Sequence, residues 1–227
     1  PRAGLYQIYK VSCTGQMGNK ACRWTKIAEV TGHPSIDLTV DAETIRLLDV
    51  NGDHLVDVVR TAGTRMEHWL NLGRYEGGKG KFGHVLADGT LSNEPVTSCL
   101  LFKGGYIRFD DPRVKLADMN GDGLTDLVLV DYGQVAWWPN KGWGQWGEGG
   151  ECTEGMTGSG RHISMTNPPY PAGFNASEIH VGDVNGDGLA DIMRVRATVV
   201  DAWLSLGTGF SNRVLINAPF SNLFSNR

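Results

Sequence analysis

Three acidic nonapeptides carry most of the side chains in this sequence that could do chemistry: Asp49-Val-Asn-Gly-Asp-His-Leu-Val-Asp57, Asp118-Met-Asn-Gly-Asp-Gly-Leu-Thr-Asp126 and Asp183-Val-Asn-Gly-Asp-Gly-Leu-Ala-Asp191. In each, side-chain oxygens stand at positions 1, 3, 5 and 9: Asp49, Asn51, Asp53 and Asp57, then Asp118, Asn120, Asp122 and Asp126, then Asp183, Asn185, Asp187 and Asp191. The backbone carbonyl at position 7, from Leu55, Leu124 or Leu189, adds another oxygen. Such a set suits a hard cation; Ca²⁺ takes about six to eight oxygen ligands at roughly 2.3–2.6 Å. Up to three Ca²⁺ are therefore expected, and nothing in the set suits a soft metal. Glycine at position 6 permits the positive φ that lets successive side chains turn towards one centre. His54 takes that place in the first loop, so the first site is expected to be the weakest. Asn-Gly and Asp-Gly pairs are also ordinary turn chemistry. A plain turn, however, has no need of carboxylates at positions 1, 5 and 9 in three copies.

The surroundings decide which kind of loop this is. A helix-flanked EF-hand needs a glutamate at position 12, and those positions hold Arg60, Leu129 and Arg194. The flanks Ile45-Arg-Leu-Leu48 and Val56-Asp-Val-Val59 are short and β-branched, bounded by turn residues, and predict strands on either side. Beyond the loop the register persists. Trp69, Trp138 and Trp203 follow Asp57, Asp126 and Asp191 at one fixed offset, and Gly73, Gly142 and Gly207 follow Asp49, Asp118 and Asp183 at another. The loop starts, Asp49, Asp118 and Asp183, are themselves almost evenly spaced. A repeat of this size predicts an all-β, four-stranded blade, and blades around an axis make a β-propeller. Leu5–Val11 and Ala21–Ile27 read as a leading hairpin. The expected organisation is a hairpin over 1–40 from the end of a preceding blade, repeat one over 41–111, repeat two over 112–178 and an incomplete repeat three over 179–227, an arc of a larger propeller.

Composition narrows the function. The chain has 227 residues, 41% of them apolar, and 31 glycines. Its net charge of −4 comes from 21 basic and 25 acidic residues, nine of the acids lying in the loops. Three Ca²⁺ would add six charges and bring −4 to +2, so the acidity is accounted for by metal rather than by steering a partner. No basic cluster points to nucleic acid, and no apolar run reaches the roughly 18 residues of a membrane span. Pro1 opens no signal peptide, as expected of an excised or processed piece. Cys13 and Cys22 flank a turn-rich stretch and favour a bridge across the hairpin over two free thiols; a Cys99–Cys152 pairing is less favoured. Asn175-Ala-Ser177 is an acceptor sequon.

No His-Glu-x-x-His, Gly-x-Ser-x-Gly or Gly-x-x-x-x-Gly-Lys-Ser/Thr motif occurs, and the paired carboxylates are already explained as ligands. A non-catalytic chain is expected. Gly142-Trp-Gly-Gln-Trp-Gly147 offers Trp143 and Trp146 as candidate ligand-binding residues able to stack on a sugar, against the more ordinary reading that one of them fills a gap between blades. Of the adjacent Trp137 and Trp138, which must face opposite ways, one is expected in the core. The variable stretches 74–111 and 148–178 are expected to contain the fourth strand of a blade and are candidate contact surfaces, since binding residues concentrate on loops of a rigid scaffold.

The pattern Asp-x-Asn-Gly-Asp-Gly-x-x-Asp between strands resembles the calcium-binding FG-GAP and VCBS repeats of integrin α-subunits, fungal lectins and bacterial surface proteins. Phe109-Asp-Asp-Pro-Arg-Val-Lys-Leu-Ala-Asp118 running into the second loop, with Val135-Ala-Trp-Trp-Pro-Asn-Lys-Gly142, is similar to the propeller region of Tc-toxin B components and related virulence-plasmid B and Rhs-type proteins. That resemblance covers about residues 45 to 215. It implies a secreted or cell-surface scaffold that meets a protein partner or the remainder of a larger polypeptide within a toxin complex. No Rhs repeat occurs within the chain itself. The alternatives are a carbohydrate-binding or adhesion propeller and an accessory domain of a secreted hydrolase.

Overall fold

The computed structural model describes residues 6–15, 21–32, 36, 43–73, 79–100, 107–148, 160–171, 173–196 and 199–217. Among them there is no α-helix; one 3-10 turn, Ala176–Glu178, is capped by the Asn175 side chain. The expected all-β architecture is observed.

The leading hairpin forms from β1 (Tyr6–Thr14) and β2 (Ala21–Gly32), with Cys13 directly opposite Cys22. The two are disulfide-bonded, their Cα atoms 4.0 Å apart. Cys99 is disulfide-bonded as well; Cys152 lies outside the described residues. Blade one consists of β3 (Ile45–Leu48), β4 (Asp57–Ala62), β5 (Arg65–Asn71) and β8 (Val96–Cys99), all antiparallel. Between β5 and β8 the chain inserts a second hairpin, β6 (Lys79–Val85) and β7 (Leu91–Ser92). Strand β6 pairs with the end of β5 on one side and, in parallel, with β2 on the other, which welds the leading hairpin to blade one. The 74–111 stretch thus holds the expected fourth strand, β8, and beyond that expectation the inserted hairpin.

Blade two is β9 (Val114–Ala117), β10 (Asp126–Asp131), β11 (Gln134–Trp138) and β12 (Ile163–Ser164). Blade three is β13 (Ile179–Gly182), β14 (Asp191–Val195), β15 (Val199–Trp203) and β16 (Val214–Asn217). Each acidic loop joins the first and second strand of its blade, as the flanking patterns predict. The 148–178 stretch likewise holds the expected fourth strand, where Ile163 pairs with Trp137, and Thr166 beyond it bridges to Gly209 of blade three. So short a strand leaves too little periodicity to be seen in sequence. Residues 149–159 lie outside the described set.

Successive residues of the second strands of blades one and two are buried on opposite faces, because those two sheets are covered on both sides. In β10, Leu127 and Leu129 join a core shared with blade one, containing Val50, Val59 and Met66. Val128 and Val130 join a core shared with blade three, containing Ile179, Ile192 and Trp203. A third core holds Val30, Ile36, Val58, Trp69 and Phe82 between blade one and the leading strands. The repeated tryptophans therefore have one job: Trp69, Trp138 and Trp203 all face the preceding element. Trp137 and Trp138 face opposite ways as expected, but both are buried, since a neighbour covers each face.

Candidate metal loops and the inter-blade latch

Each acidic loop closes on its own side chains. In the first, Asp49 Oδ1 accepts the Gly52 amide at 2.8 Å and Oδ2 accepts the His54 amide at 2.8 Å. Asn51 Oδ1 accepts the Asp53 amide at 3.1 Å, Asn51 Nδ2 donates to Asp53 Oδ2 at 3.0 Å, and Asp53 Oδ1 accepts the Leu55 amide at 2.8 Å. The same bonds recur in the second loop around Asp118, Asn120 and Asp122. They recur again in the third around Asp183, Asn185 and Asp187. Position 6 has positive φ in every copy: +66° at His54, +85° at Gly123 and +87° at Gly188. The loop tips are exposed, and no described lysine or arginine pairs with any of the nine loop aspartates.

The structure therefore brings positions 1, 3 and 5 together and treats position 9 differently. Asp57, Asp126 and Asp191 are fully buried. One oxygen of each accepts the amide of loop position 2, at 2.9 Å from Val50, 2.8 Å from Met119 and 3.0 Å from Val184. The other accepts an amide further along the chain, at 2.6 Å from Asn71 and 2.7 Å from both Asn140 and Ser205. Position 9 thus ties the loop to the end of the third strand. The donors at this fixed step, Asn71, Asn140 and Ser205, act through backbone amides, so no residue type marks this role in the sequence. Among the described residues, no three histidine, cysteine, aspartate or glutamate side chains stand together as a preformed metal cage.

Electrostatics follow the same division. Burial pushes the Asp49 carboxyl up, but the amides of His54, Gly52, Asn51 and Asp53 outweigh it and hold the group below its ordinary range. The amides of Gly188 and Gly186 do the same for the exposed Asp183. Burial pushes Asp57 up to about 6 against its two amide partners, with the charges of Asp53 and Asp49 adding to the rise. Asp126 is pushed up to about 7 in the same way, with Asp122 and Asp118 contributing. Hard oxygens at positions 1, 3 and 5, with no counter-ion among the described residues, make a donor set that fits a divalent cation.

Neighbouring loops are in contact. Ala190 at position 8 of the third loop donates its amide to the Asp118 carbonyl at 2.9 Å. Asn140 of blade two donates through Nδ2 to the Val50 carbonyl of the first loop at 3.0 Å. Leu124 and Leu189, whose carbonyls were read as ligands, rest their side chains on Gly52 and Gly121 of the preceding loop.

The candidate pair Trp143 and Trp146 is split. Trp146 is buried between blades one and two and is removed from any ligand-stacking role; it is the gap-filler. Its indole Nε1 donates to His68 Nε2 at 2.6 Å, and the two rings are stacked. An indole nitrogen only donates, so His68 Nε2 must be an acceptor, and Nδ1 carries the proton donated to the Val96 carbonyl at 3.1 Å. Burial holds this neutral histidine down at about 4. The partners sit on different blades, far apart in the chain, which puts this latch beyond any sequence pattern. Trp143 stays 69% exposed at the tip of the same turn, with φ +52°.

No curated protein sequence is significantly similar to the chain. Among solved structures, a chain of the Photorhabdus luminescens Tc holotoxin pore overlays 97% of this chain with a TM-score of 0.51 at 18% identity. This chain spans 11% of that toxin chain's length. The TcdB2-TccC3-Cdc42 complex matches with a TM-score of 0.43 at 18% identity, over 91% of this chain and 8% of that one. An Agrocybe aegerita lectin that recognises non-reducing terminal N-acetylglucosamine matches with a TM-score of 0.41 at 16% identity, over 97% of this chain and 67% of the lectin. At such identities the shared property is the fold, and at scores of 0.43 and 0.41 the overlap carries no weight. The family of FG-GAP-like repeats matches residues 118–193, spanning the second and third loops. That part of the chain is thus similar to an FG-GAP-like repeat, set in propeller-type blades.

Proposed function

We propose that this chain is a non-catalytic, calcium-stabilised β-propeller scaffold and protein-docking module, working in a larger secreted assembly of the Tc-toxin B-component and Rhs-related kind. One observation carries the reading: three carboxylate-rich loops, without described counter-ions, stand side by side on successive blades and touch one another. Oxygens at positions 1, 3 and 5 and the carbonyl at position 7 would take the ion, with the buried position-9 carboxylate adding charge from behind. When bound, Ca²⁺ supplies the positive charge that offsets mutual repulsion within a loop. The buried histidine and aspartates among the described residues have structural partners, His68 in the latch, Asp57, Asp126 and Asp191 with backbone amides and Asp201 with Arg196 and Arg213, which favours a non-catalytic reading. A disulfide-stapled hairpin suits an oxidising, extracellular setting. The test is a thermal melt with and without chelator. A ligand bound only by the native state raises its stability, so chelation lowers the melting temperature by several degrees, and coincident curves would sink the calcium reading.

A second reading, carbohydrate binding, is favoured by the exposed Trp143 alone. Saturable binding on a glycan array, abolished by Trp143→Ala, would transfer the function to it.

A further inference from the structure

The three blades are internal controls for one another. Position 2 of the acidic loop is completely buried in blades one and two, at Val50 and Met119, and 41% exposed at Val184 in blade three. In the second strand, the equivalent Thr61 and Val130 are 4% and 1% exposed, while Val195 is 45% exposed. In the third strand, the equivalent Met66 and Val135 are buried and Val200 is only half-buried. The buried members, Thr61 aside, belong to the cores that the next blade completes. The loops repeat the contrast. A Cβ placed on Gly52 would stand 3.3 Å from Leu124 Cδ2, and one on Gly121 would stand 3.5 Å from Leu189 Cδ2; around Gly186 nothing lies within 4 Å.

We propose that the far face of blade three, centred on Val184, Gly186, Val195 and Val200, is a docking surface for a further acidic-loop blade. This rests on the propeller-scaffold reading and names its partner by chemistry. The occupant presents a position-7 leucine to seat on Gly186, as Leu124 and Leu189 seat on Gly52 and Gly121. It presents a position-8 amide to donate to the Asp183 carbonyl, as Ala190 does to Asp118. It also presents a tryptophan at the place held by Trp138 and Trp203, to cover the middle strands. Continuity with the existing interfaces selects a blade over an unrelated apolar partner, because a flat apolar ligand would leave the glycine seat unused. A second copy of this chain is a poorer fit, since the equivalent leading face of blade one is already covered by Val30, Ile36 and Phe82.

The test compares the 227-residue chain with the same chain extended after Arg227 by a second copy of residues 107–178 that carries Cys152→Ser, so that the extension brings no extra thiol. Among the described residues there are no free cysteines, so single Val184→Cys and Val195→Cys substitutions report maleimide labelling at the face above the parent background. The expected result is that labelling at both positions slows about tenfold or more in the extended chain, as burial protects them. Labelling at Val56→Cys, on the first loop, stays unchanged. Placing Leu124→Asp in the appended copy restores fast labelling. Equal rates in both chains, with the appended copy protease-resistant, overturn the proposal. Slow labelling in the unextended chain that deepens with concentration overturns it in favour of a second copy. A chelator-sensitive melt alongside unprotected thiols would show that the docking inference fails while the scaffold reading stands.

Discussion

Trp146→Phe isolates the polar latch between the first two blades. Phenylalanine keeps most of the ring that fills the gap, but it removes the Nε1–H that His68 Nε2 accepts at 2.6 Å. The buried imidazole nitrogen is then left unpaired, at a cost of about 1–3 kcal/mol. The latch also has a pH signature. His68 is held at about 4 against an ordinary 6.5. Between those values the unfolded chain takes up a proton that the folded chain refuses, so the histidine's contribution is whole above pH 6.5 and declines as pH falls. At about 1.36 kcal/mol per pKa unit, the loss by pH 4 approaches about 3 kcal/mol, with about 2 kcal/mol of it gone by pH 5. Asp57 and Asp126 act in the opposite sense. Raised to about 6 and about 7, they favour the folded state as it protonates and lose that contribution as pH rises. The bare pH profile therefore mixes opposing contributions, and the informative quantity is the difference between the parent and His68→Gln. Urea unfolding followed by far-UV circular dichroism at pH 7 and pH 5 supplies it. The variant should be the less stable at pH 7 and should recover about 2 kcal/mol relative to the parent at pH 5. A constant difference across the two pH values, or a Trp146→Phe chain as stable as the parent at pH 7, would refute the assigned tautomer and the latch.

Other expectations concern the loops. In a calcium titration the first site should empty before the other two, and His54→Gly should tighten it. That substitution should also raise stability by up to about 1 kcal/mol, by relieving a histidine held at φ +66°; a loss of stability would contradict this. Asp126→Asn should cost about 1–3 kcal/mol even with chelator present, because an amide offers one acceptor where two backbone N–H groups need two. Asp122→Asn, at the exposed tip, should cost stability only when calcium is present. Equal effects of these two substitutions under chelation, measured by urea denaturation, would dissolve the distinction between anchor and ligand positions.

What was legible in the sequence is what repeats at short range. The loops, their flanking strands and the tryptophan that follows at a fixed offset lie within one blade, so three copies reinforce one pattern. What was hidden depends on partners from elsewhere. Sequence leaves open which of Trp143 and Trp146 fills the gap between blades until His68, on another blade, is seen against Trp146. Strand β12 is very short, and its pairing is dictated by β11 rather than by its own alternation. The hairpin of β6 and β7 is an insertion in blade one without a described counterpart in the other two. Trp137 and Trp138 misled in a related way: alternation says that they face apart, but only the flanking blades make both faces interior.

The position-9 aspartate shows why loop and fold should respond together. Its carboxylate holds one amide at the start of the loop and another at the end of the third strand, so its charge state bears on both. Burial and the charges of positions 5 and 1 push Asp57 and Asp126 towards protonation, which would weaken bonds that only the ionised form makes twice over. A divalent ion among positions 1, 3 and 5 removes that pressure and thereby strengthens the attachment of the second strand to the third. Because Ala190 and Asn140 carry hydrogen bonds from one loop region to the next, the strengthening reaches the interfaces as well. Calcium should therefore shift the cooperative unfolding of the blades as a unit. A chelator effect confined to local fraying of the loops, seen as faster amide exchange there and an unmoved melting temperature, would break this coupling.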